Sequence, residues 1–478
     1  MANSIKKGFA WTAIEKFSLQ IVQFVIGIVI ARFITPDEYG ILGVLMVFVT
    51  ISQVFIESGL GSALIYRNNL DDDDLQTTFT FNFLISFAIV VIIAIFAVPL
   101  ENLIGVPDLS SYLIVCIFVL VPNAFIVVPT SILRVKMDFK AIAISNVVST
   151  LLSGFAGVVS AIIGLGVWAL VIQLLSKSTL QFILMMFQCH WLPRFRFNKK
   201  SFLGMYKYSF AIFGTSCISK VTDQGISLFI ARILTPYSLG IFTRGNQFAT
   251  IAGTSLGTIF STVLFPAFSA KKNNETQFQL LMRKMVEYQG AFIIPIFIFI
   301  AVLSKPIVII LLTEKWIDVV PVLQILCIGR ILSTISIATE QAICSVGRSD
   351  LEFKQQFYKL ALKVVFIAAG FNWGLLGIAI ADALSTLLGF FVTNFFANKC
   401  ISFTSIDQLK ILKPFMIAAS ISSLAGLYYV YTVTNIWLQL IIGAIIMVIL
   451  YMVMVCMIRK TFIYDLFEHA GFKKNNRI

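Results

Sequence analysis

Side chains that bind metals or form disulfides are scarce in this sequence. It has two histidines, His190 and His469, and seven cysteines, none of which form a CxxC pair. This spacing favours neither a zinc site nor a disulfide framework. We therefore expect no histidine metal site and no cofactor, and no group of residues stands out as catalytic.

Charged residues are also few. They make up 12% of the chain against 59% hydrophobic residues, and the mean hydropathy is +0.94. An average soluble domain has about 25% charged residues. Apolar runs of about 20 residues recur along the chain, and each is long enough to cross a bilayer as a helix. The composition excludes a soluble globular protein and predicts an all-α, polytopic membrane protein.

Basic residues outnumber acidic ones. The chain has 36 Lys and Arg residues against 23 Asp and Glu residues, a net charge of +13. If the N-terminus is cytoplasmic, most of these cations fall in cytoplasmic loops. The opposite side then holds Arg32, Arg232, Lys305 and Lys315. This positive-inside pattern predicts two cytoplasmic termini and makes nucleic-acid binding a poor explanation of the charge.

A twelve-residue segment occurs twice, 200 positions apart. Residues 30–41 read IARFITPDEYGI and residues 230–241 read IARILTPYSLGI, with seven identical positions. Similarity at one fixed offset indicates an internal duplication. We call these segments the first and second motif copies.

Each motif copy contains a signal for the start of a helix. Thr35 is a suitable N-cap, Pro36 suits the first helical position, and Glu38 can complete a capping box. The second copy keeps Thr235 but has Ser238 in place of the glutamate. We therefore expect the second cap to be weaker than the first.

We identify fourteen apolar segments that are predicted to cross the membrane. The 200-residue offset and a basic segment after the sixth suggest two pseudo-symmetric six-helix lobes plus two C-terminal helices. The predicted divisions are an N-terminal lobe at 1–190, a basic cytoplasmic linker at 191–205, a C-terminal lobe at 206–400, and a helix pair with a basic tail at 401–478. We expect the linker to act as a hinge, and the acidic run at 71–74 to lie in a solvated loop.

Polar residues form stripes within several of the apolar segments. The spacing of four of these residues places them on one face of the first predicted helix: Lys16, Gln20, Gln23 and Gly27. The seventh predicted helix has polar residues at the positions exactly 200 later: Ser216, Lys220, Asp223 and Ser227. The second and eighth segments add Gln53, Glu57, Arg244 and Gln247, and the tenth adds Arg330 and Gln341. Charges at membrane depth are costly unless they face water or partners, so these stripes predict a water-filled cavity.

Two interpretations of the stripes stay open. In the first, Lys16, Gln20, Gln23, Lys220, Arg244 and Arg330 contact a substrate in the cavity, and the acids Glu15, Glu57 and Asp223 are candidates for ion coupling. In the second, charged neighbours such as Glu15 with Lys16 and Lys220 with Asp223 are packing pairs that fix the helix register. Lys363 and Asp382 are expected to be isolated residues with local packing roles.

The helix count, the repeated motif and the segment GLGSALIYR at 59–67 resemble the Wzx-type O-antigen and capsule flippases of the MOP superfamily. The resemblance covers essentially the whole chain. It implies that the protein moves undecaprenyl-diphosphate-linked oligosaccharide repeat units across the bacterial cytoplasmic membrane by alternating access. Lipid-linked oligosaccharide and membrane lipids would be its partners, with a polysaccharide polymerase as a further candidate.

Two other functions are compatible with a polytopic membrane protein. A drug or metabolite antiporter of the same superfamily would favour an acidic cavity, whereas the predicted cavity has four cations and three acids. A membrane polymerase or ligase acting on lipid-linked sugars would need a sizeable external loop or a clustered acid and base. The sequence shows neither, so we expect a transporter and not an enzyme.

Overall fold

The structure is a computed structural model. It describes residues 2–57, 60–67, 71–205, 229–271 and 273–459, and singly residues 213, 217, 220, 224 and 227. The described residues are almost all helical and contain no strand. Contacts divide the chain into two compact units, Met1–Thr243 and Arg244–Ile478. The all-α membrane architecture predicted from the composition is confirmed.

Among the described residues, the first unit includes eight helices up to Cys189, and residues 199–205 and 229–233 are also helical. The eight helices are α1 (Ala2–Phe33), α2 (Pro36–Glu57), α3 (Leu60–Arg67), α4 (Asp72–Ile104), α5 (Leu109–Ile117), α6 (Leu120–Val135), α7 (Phe139–Ile162) and α8 (Val167–Cys189). Next comes α9 (Pro236–Lys271), which begins in the first unit and continues in the second.

The remaining helices belong to the second unit. They are α10 (Glu275–Val302), α11 (Ser304–Leu312), α12 (Val319–Ser345), α13 (Ser349–Gly370), α14 (Gly374–Ala397), α15 (Ser405–Thr432) and α16 (Ile436–Ile458). Hydrogen bonds from polar side chains link some of these helices, because lipid would offer such groups no hydrogen-bond partner. Gln408 of α15 donates to Thr339 Oγ1 of α12 at 3.1 Å, and the Tyr451 hydroxyl donates to the Ala291 carbonyl at 2.8 Å.

Eleven helical stretches among the described residues are long and apolar enough to span a membrane, and one of them, Asp350–Ala397, contains both α13 and α14. Large apolar side chains remain exposed on these helices, including Phe155 and Ile95 at 71% and 67%. Lipid chains would cover such surfaces. The count of fourteen stays a prediction, because most of the seventh segment lies outside the described residues. The division into lobes at 190 and 206 is also still a prediction.

The caps of the motif copies differ as expected. In the first copy the Thr35 N–H donates to Glu38 Oε2 at 2.7 Å, and the Glu38 N–H donates to Thr35 Oγ1 at 3.4 Å. In the second copy the Ser238 N–H donates to Thr235 Oγ1 at 3.2 Å. The Ser238 hydroxyl shares a hydrogen bond of 3.1 Å with Thr235 Oγ1, but serine lacks the carboxylate that accepts the N-cap N–H in the first copy. The second cap therefore lacks that charge-assisted bond and should be weaker.

The two motif copies meet inside the first unit. A Cβ atom on Gly40 would lie 1.7 Å from the Pro236 carbonyl oxygen, and one on Gly240 would lie 1.9 Å from the Pro36 carbonyl oxygen. The first turns of α2 and α9 therefore pack backbone against backbone, which only glycine permits. Gly40 and Gly240 therefore have equivalent roles, each allowing the backbone of the other motif copy to approach closely.

The acidic run is not in a loop, and that prediction is wrong. Asp72, Asp73 and Asp74 form the first turn of α4, where carboxylates interact favourably with the helix dipole. Asp74 is buried and accepts a hydrogen bond from Ser201, and Asp73 accepts one from the Asn198 amide at 2.8 Å. The acids thus fasten the basic linker to the start of α4.

Residues 191–198 are not helical and lie along α4. The Arg194 N–H donates to Gln76 Oε1 at 2.6 Å, and Thr80 Oγ1 donates to the Arg196 carbonyl and accepts its N–H. The Phe195 ring lies 5.6 Å from the Phe79 ring. A hinge movement cannot bend this part of the linker without breaking these contacts.

This docking can be tested by proteolysis. Gln76→Ala leaves the Arg194 N–H and the Leu192 carbonyl without their side-chain partner, so the linker should open more often. Trypsin cleavage after Arg194 and Arg196 should accelerate roughly tenfold. The control is Gln277→Ala, at an exposed glutamine of α10. Equal cleavage rates in the wild type and Gln76→Ala would show that the hydrogen bonds of Gln76 contribute little to holding the linker on α4.

Candidate functional site

The polar residues predicted to form a stripe on α1 differ in their exposure and contacts. Lys16 and Gln23 are exposed, and Gln20 is half-buried. Glu15 points to α7 and accepts a hydrogen bond from the Asn146 amide. The packing partner of Glu15 is therefore an amide on another helix, in contrast to the suggested pairing with Lys16.

The second stripe is only partly described. Lys220 is exposed, whereas Asp223 and Ser216 lie outside the described residues. The predicted pairing of Lys220 with Asp223 therefore stays a prediction.

Polar side chains of α2, α6 and α8 line a cavity in the first unit. Its volume is about 440 Å³, and its lining includes Gln53, Glu57, Asn123, Arg134 and Gln181. The Asn123 amide donates to Gln53 Oε1 at 2.9 Å. Glu57, proposed from the sequence as a cavity residue, is exposed at the end of α2. We call this cavity the amide groove.

Arg244 lies in a different environment from the one its stripe suggested. Arg244 is 2% exposed, and its guanidinium carbon lies 5.6 Å from the centre of the Trp316 ring. Its Nη1 donates to Gln247 Oε1 at 2.8 Å. The side chain is therefore enclosed by a cation–π contact and a hydrogen bond on its own helix. In this conformation it supports packing instead of lining an open cavity.

Arg330 is held between α9 and α14. Its Nη2 donates to Asn246 Oδ1 at 2.9 Å and lies 3.9 Å from Asp382 Oδ2. The other oxygen of Asp382 lies 3.4 Å from Lys363 Nζ of α13. The Asp382 side chain is 4% exposed, whereas those of Arg330 and Lys363 are 28% and 27% exposed. One buried carboxylate thus bridges two cations that still reach solvent.

A second ion pair continues this group of charges. Lys359 of α13 donates to Glu340 Oε1 of α12 at 2.8 Å. Both side chains line a cavity of about 120 Å³, together with Lys363 and with hydroxyl groups such as those of Ser336 and Thr386. We call the set Arg330, Lys359, Lys363, Glu340 and Asp382 the charged cluster. With three cations and two acids, it carries a formal charge of +1.

The charged cluster corrects the prediction that Lys363 and Asp382 are isolated residues. Lys359, in the third turn of α13, was not singled out from the sequence. Lys359 and Lys363 are four residues apart on one helix face, and this spacing was the available signal. Their acidic partners lie on other helices, so pattern analysis of one helix could not find them.

Charged groups on membrane-spanning helices require water or partners, because burial in hydrocarbon is costly. The charged cluster and the amide groove meet this requirement in different ways. The first supplies cations close to a carboxylate, which suits an anionic group. The second supplies amides and hydroxyls beside one acid and one cation, Glu57 and Arg134, so its formal charge is zero and it suits a neutral polar group.

Comparisons with known proteins agree with the resemblance noted from the motif. Residues 29–321 match the family model described as polysaccharide biosynthesis protein. The chain is 24% identical to the succinoglycan biosynthesis transport protein ExoT of Rhizobium meliloti (strain 1021), over 99% of this chain and 97% of that protein. It is also 24% identical to the lipopolysaccharide biosynthesis protein WzxC of Escherichia coli (strain K12), over 80% of each.

A solved structure shares the fold. The lipid II flippase MurJ, in an inward closed conformation, superposes with a TM-score of 0.77 at 16% sequence identity, covering 95% of this chain and 99% of that one. At this identity the likeness concerns the fold alone. The chain belongs to the polysaccharide biosynthesis protein family, as a multi-pass membrane transporter and not an enzyme.

Proposed function

We propose that this protein moves undecaprenyl-diphosphate-linked oligosaccharide repeat units across the bacterial cytoplasmic membrane by alternating access. The repeat units would serve O-antigen, capsule or exopolysaccharide synthesis. The observation that carries the proposal is the charged cluster, five ionisable side chains on three membrane-spanning helices beside a cavity. Such groups are expensive in lipid and are retained where a polar cargo must pass.

The diphosphate sets the electrostatic requirement. Moving its negative charge out of water is prohibitive unless nearby cations replace the lost hydration. We assign this role to Arg330, Lys359 and Lys363 of the charged cluster. Lys16 and Lys220, which are exposed, remain separate candidates for contact with the substrate. Asp382 and Glu340 hold the cluster cations when no anion is present.

The other candidates keep their roles as proposals. Gln20 and Gln23 would contact polar parts of the substrate, and Glu57 and Asp223 remain candidates for ion coupling. Glu15 is a weaker candidate for ion coupling, because it is held by Asn146. We further propose cytoplasmic termini and an association with a polysaccharide polymerase, which would use the repeat units after transfer.

Substitutions of Arg244 distinguish a packing role of this side chain from a role in substrate binding. Its enclosure by Trp316 predicts that Arg244→Ala lowers the amount of folded protein in the membrane, and that export falls in proportion. Arg244→Lys should restore both only in part, because lysine lacks the planar fork that reaches Gln247. Fluorescence-detected size exclusion measures the folded amount. Normal folding with lost export would instead indicate that the guanidinium contacts substrate in another conformation.

The function is tested by deleting the gene in its own host. The proposal predicts loss of surface polysaccharide together with accumulation of lipid-linked repeat units that an external reagent cannot reach. Restored export on expression of the wild-type chain completes the test. Normal surface polysaccharide combined with a new sensitivity to cationic drugs would support a drug antiporter and contradict the proposal.

A further inference from the structure

The amide groove follows one face of α6. Asn123, Val127, Thr130 and Arg134 line it at spacings of four, three and four residues, which places them on the same side of the helix. The twelve residues from Asn123 to Arg134 span about 16 Å of helix, at 1.5 Å for each of the eleven steps between them. The volume of about 440 Å³ is within the range of small-molecule sites.

The amides of the groove are held in place by neighbouring helices. Asn123 is tied to Gln53 of α2, and the Gln181 amide of α8 donates to Asn146 Oδ1 of α7 at 2.6 Å. Asn146 in turn donates to Glu15. Groups fixed in this way lose little conformational entropy when a ligand binds.

The chemistry of the lining matches sugar hydroxyls. A hydroxyl both donates and accepts hydrogen bonds, and a primary amide offers two N–H donors and a carbonyl acceptor. The bond between Asn123 and Gln53 uses one amide N–H and the Gln53 oxygen. The remaining amide groups can pair with a polar ligand. The Thr130 hydroxyl donates to Met185 Sδ at 3.2 Å, and its oxygen can still accept a hydrogen bond from a ligand hydroxyl. Arg134, the cation of the lining, lies at one end of the groove, in the last turn of α6.

We propose that the amide groove is the saccharide subsite of the transporter, where Gln53, Asn123, Thr130 and Gln181 hydrogen-bond hydroxyl groups of the repeat unit. The inference rests on the proposed function and adds the location of the sugar. A desolvated hydroxyl without a partner is costly, so a transported oligosaccharide needs hydrogen-bonding groups along its path.

The test compares two lipids on the purified full-length protein in nanodiscs. One is undecaprenyl diphosphate without sugar, and the other is the lipid-linked repeat unit extracted from the deletion host. The wild type should bind the glycosylated lipid about tenfold more tightly, because hydrogen bonds to the sugar add to those made by the diphosphate. The double variant Gln53→Met/Asn123→Leu should lose this preference while its affinity for undecaprenyl diphosphate stays unchanged.

Two further variants make the result decisive. Thr130→Val removes one hydroxyl at nearly constant volume and should lower the preference if the double variant does not fold. Gln173→Met, on α8 outside the groove lining, is the matched control and should behave as wild type. Equal binding of both lipids by the wild type, or an unchanged preference in the groove variants, would overturn the saccharide subsite. Failure of the wild type to bind either lipid would overturn the proposed function as well.

Discussion

Replacing Gly40 and Gly240 together by alanine should reduce surface polysaccharide to about a tenth or less of the wild-type amount. Each new Cβ atom would lie within 2 Å of a backbone carbonyl oxygen, at Pro236 and Pro36 respectively. Backbone atoms cannot move aside as a flexible side chain can, so the first turns of α2 and α9 must separate. Overpacking of this kind costs about 1–3 kcal/mol, which corresponds to roughly a tenfold change in an equilibrium.

A glycine elsewhere in α9 provides the control for this prediction. At Gly253 the nearest neighbours of an added Cβ are Thr334 Oγ1 at 3.4 Å and Phe297 Cζ at 3.5 Å, which are ordinary contacts. Gly253→Ala should therefore export normally and gain slightly from the better helix propensity of alanine. Export is measured by quantifying cell-surface polysaccharide at matched protein levels. Normal export by the glycine double variant would show that the close packing of the motif copies is dispensable.

The second large effect is expected at Asp382. Asp382→Asn removes the carboxylate that bridges Arg330 and Lys363, and it leaves two partly buried cations facing each other. Removing one partner of a buried ion pair costs about 3–5 kcal/mol, and the partial exposure of the cations lowers this figure. We expect a loss of folded protein of about tenfold or more.

A compensating variant tests whether the loss of folded protein in Asp382→Asn comes from the unbalanced positive charge. Asp382→Asn combined with Lys363→Met removes one charge of each sign, so folded protein should recover in the double variant. Lys413→Met, at an exposed lysine of α15, is the control for loss of a lysine and should have no effect. Additive losses in the double variant would contradict the assigned pairing.

The sequence predicted the features that depend on neighbouring residues in the chain. The long apolar runs identified the spanning helices, because length and hydropathy are properties of one segment. The Thr35 cap and its weaker counterpart at Thr235 were also readable, since an N-cap and its N3 residue are three positions apart.

Features that depend on contacts between helices were not predicted. The enclosure of Arg244 requires Trp316, and the bridge at Asp382 requires three helices to meet at one side chain. The acidic run was misplaced for a similar reason. Four successive aspartates suggest a solvated loop, but here Asp73 and Asp74 bind the linker, which is distant in sequence.

The central claim is most directly tested by reconstitution. Purified wild-type protein is placed in liposomes that contain the lipid-linked repeat unit with a fluorophore on its sugar, and an impermeant reagent quenches the outer leaflet. The account predicts that quenching exceeds the outer-leaflet fraction and approaches the whole population as the protein delivers inner-leaflet molecules. Quenching that stops at the outer-leaflet fraction, as in protein-free liposomes, with folded protein confirmed in the membrane, would contradict it.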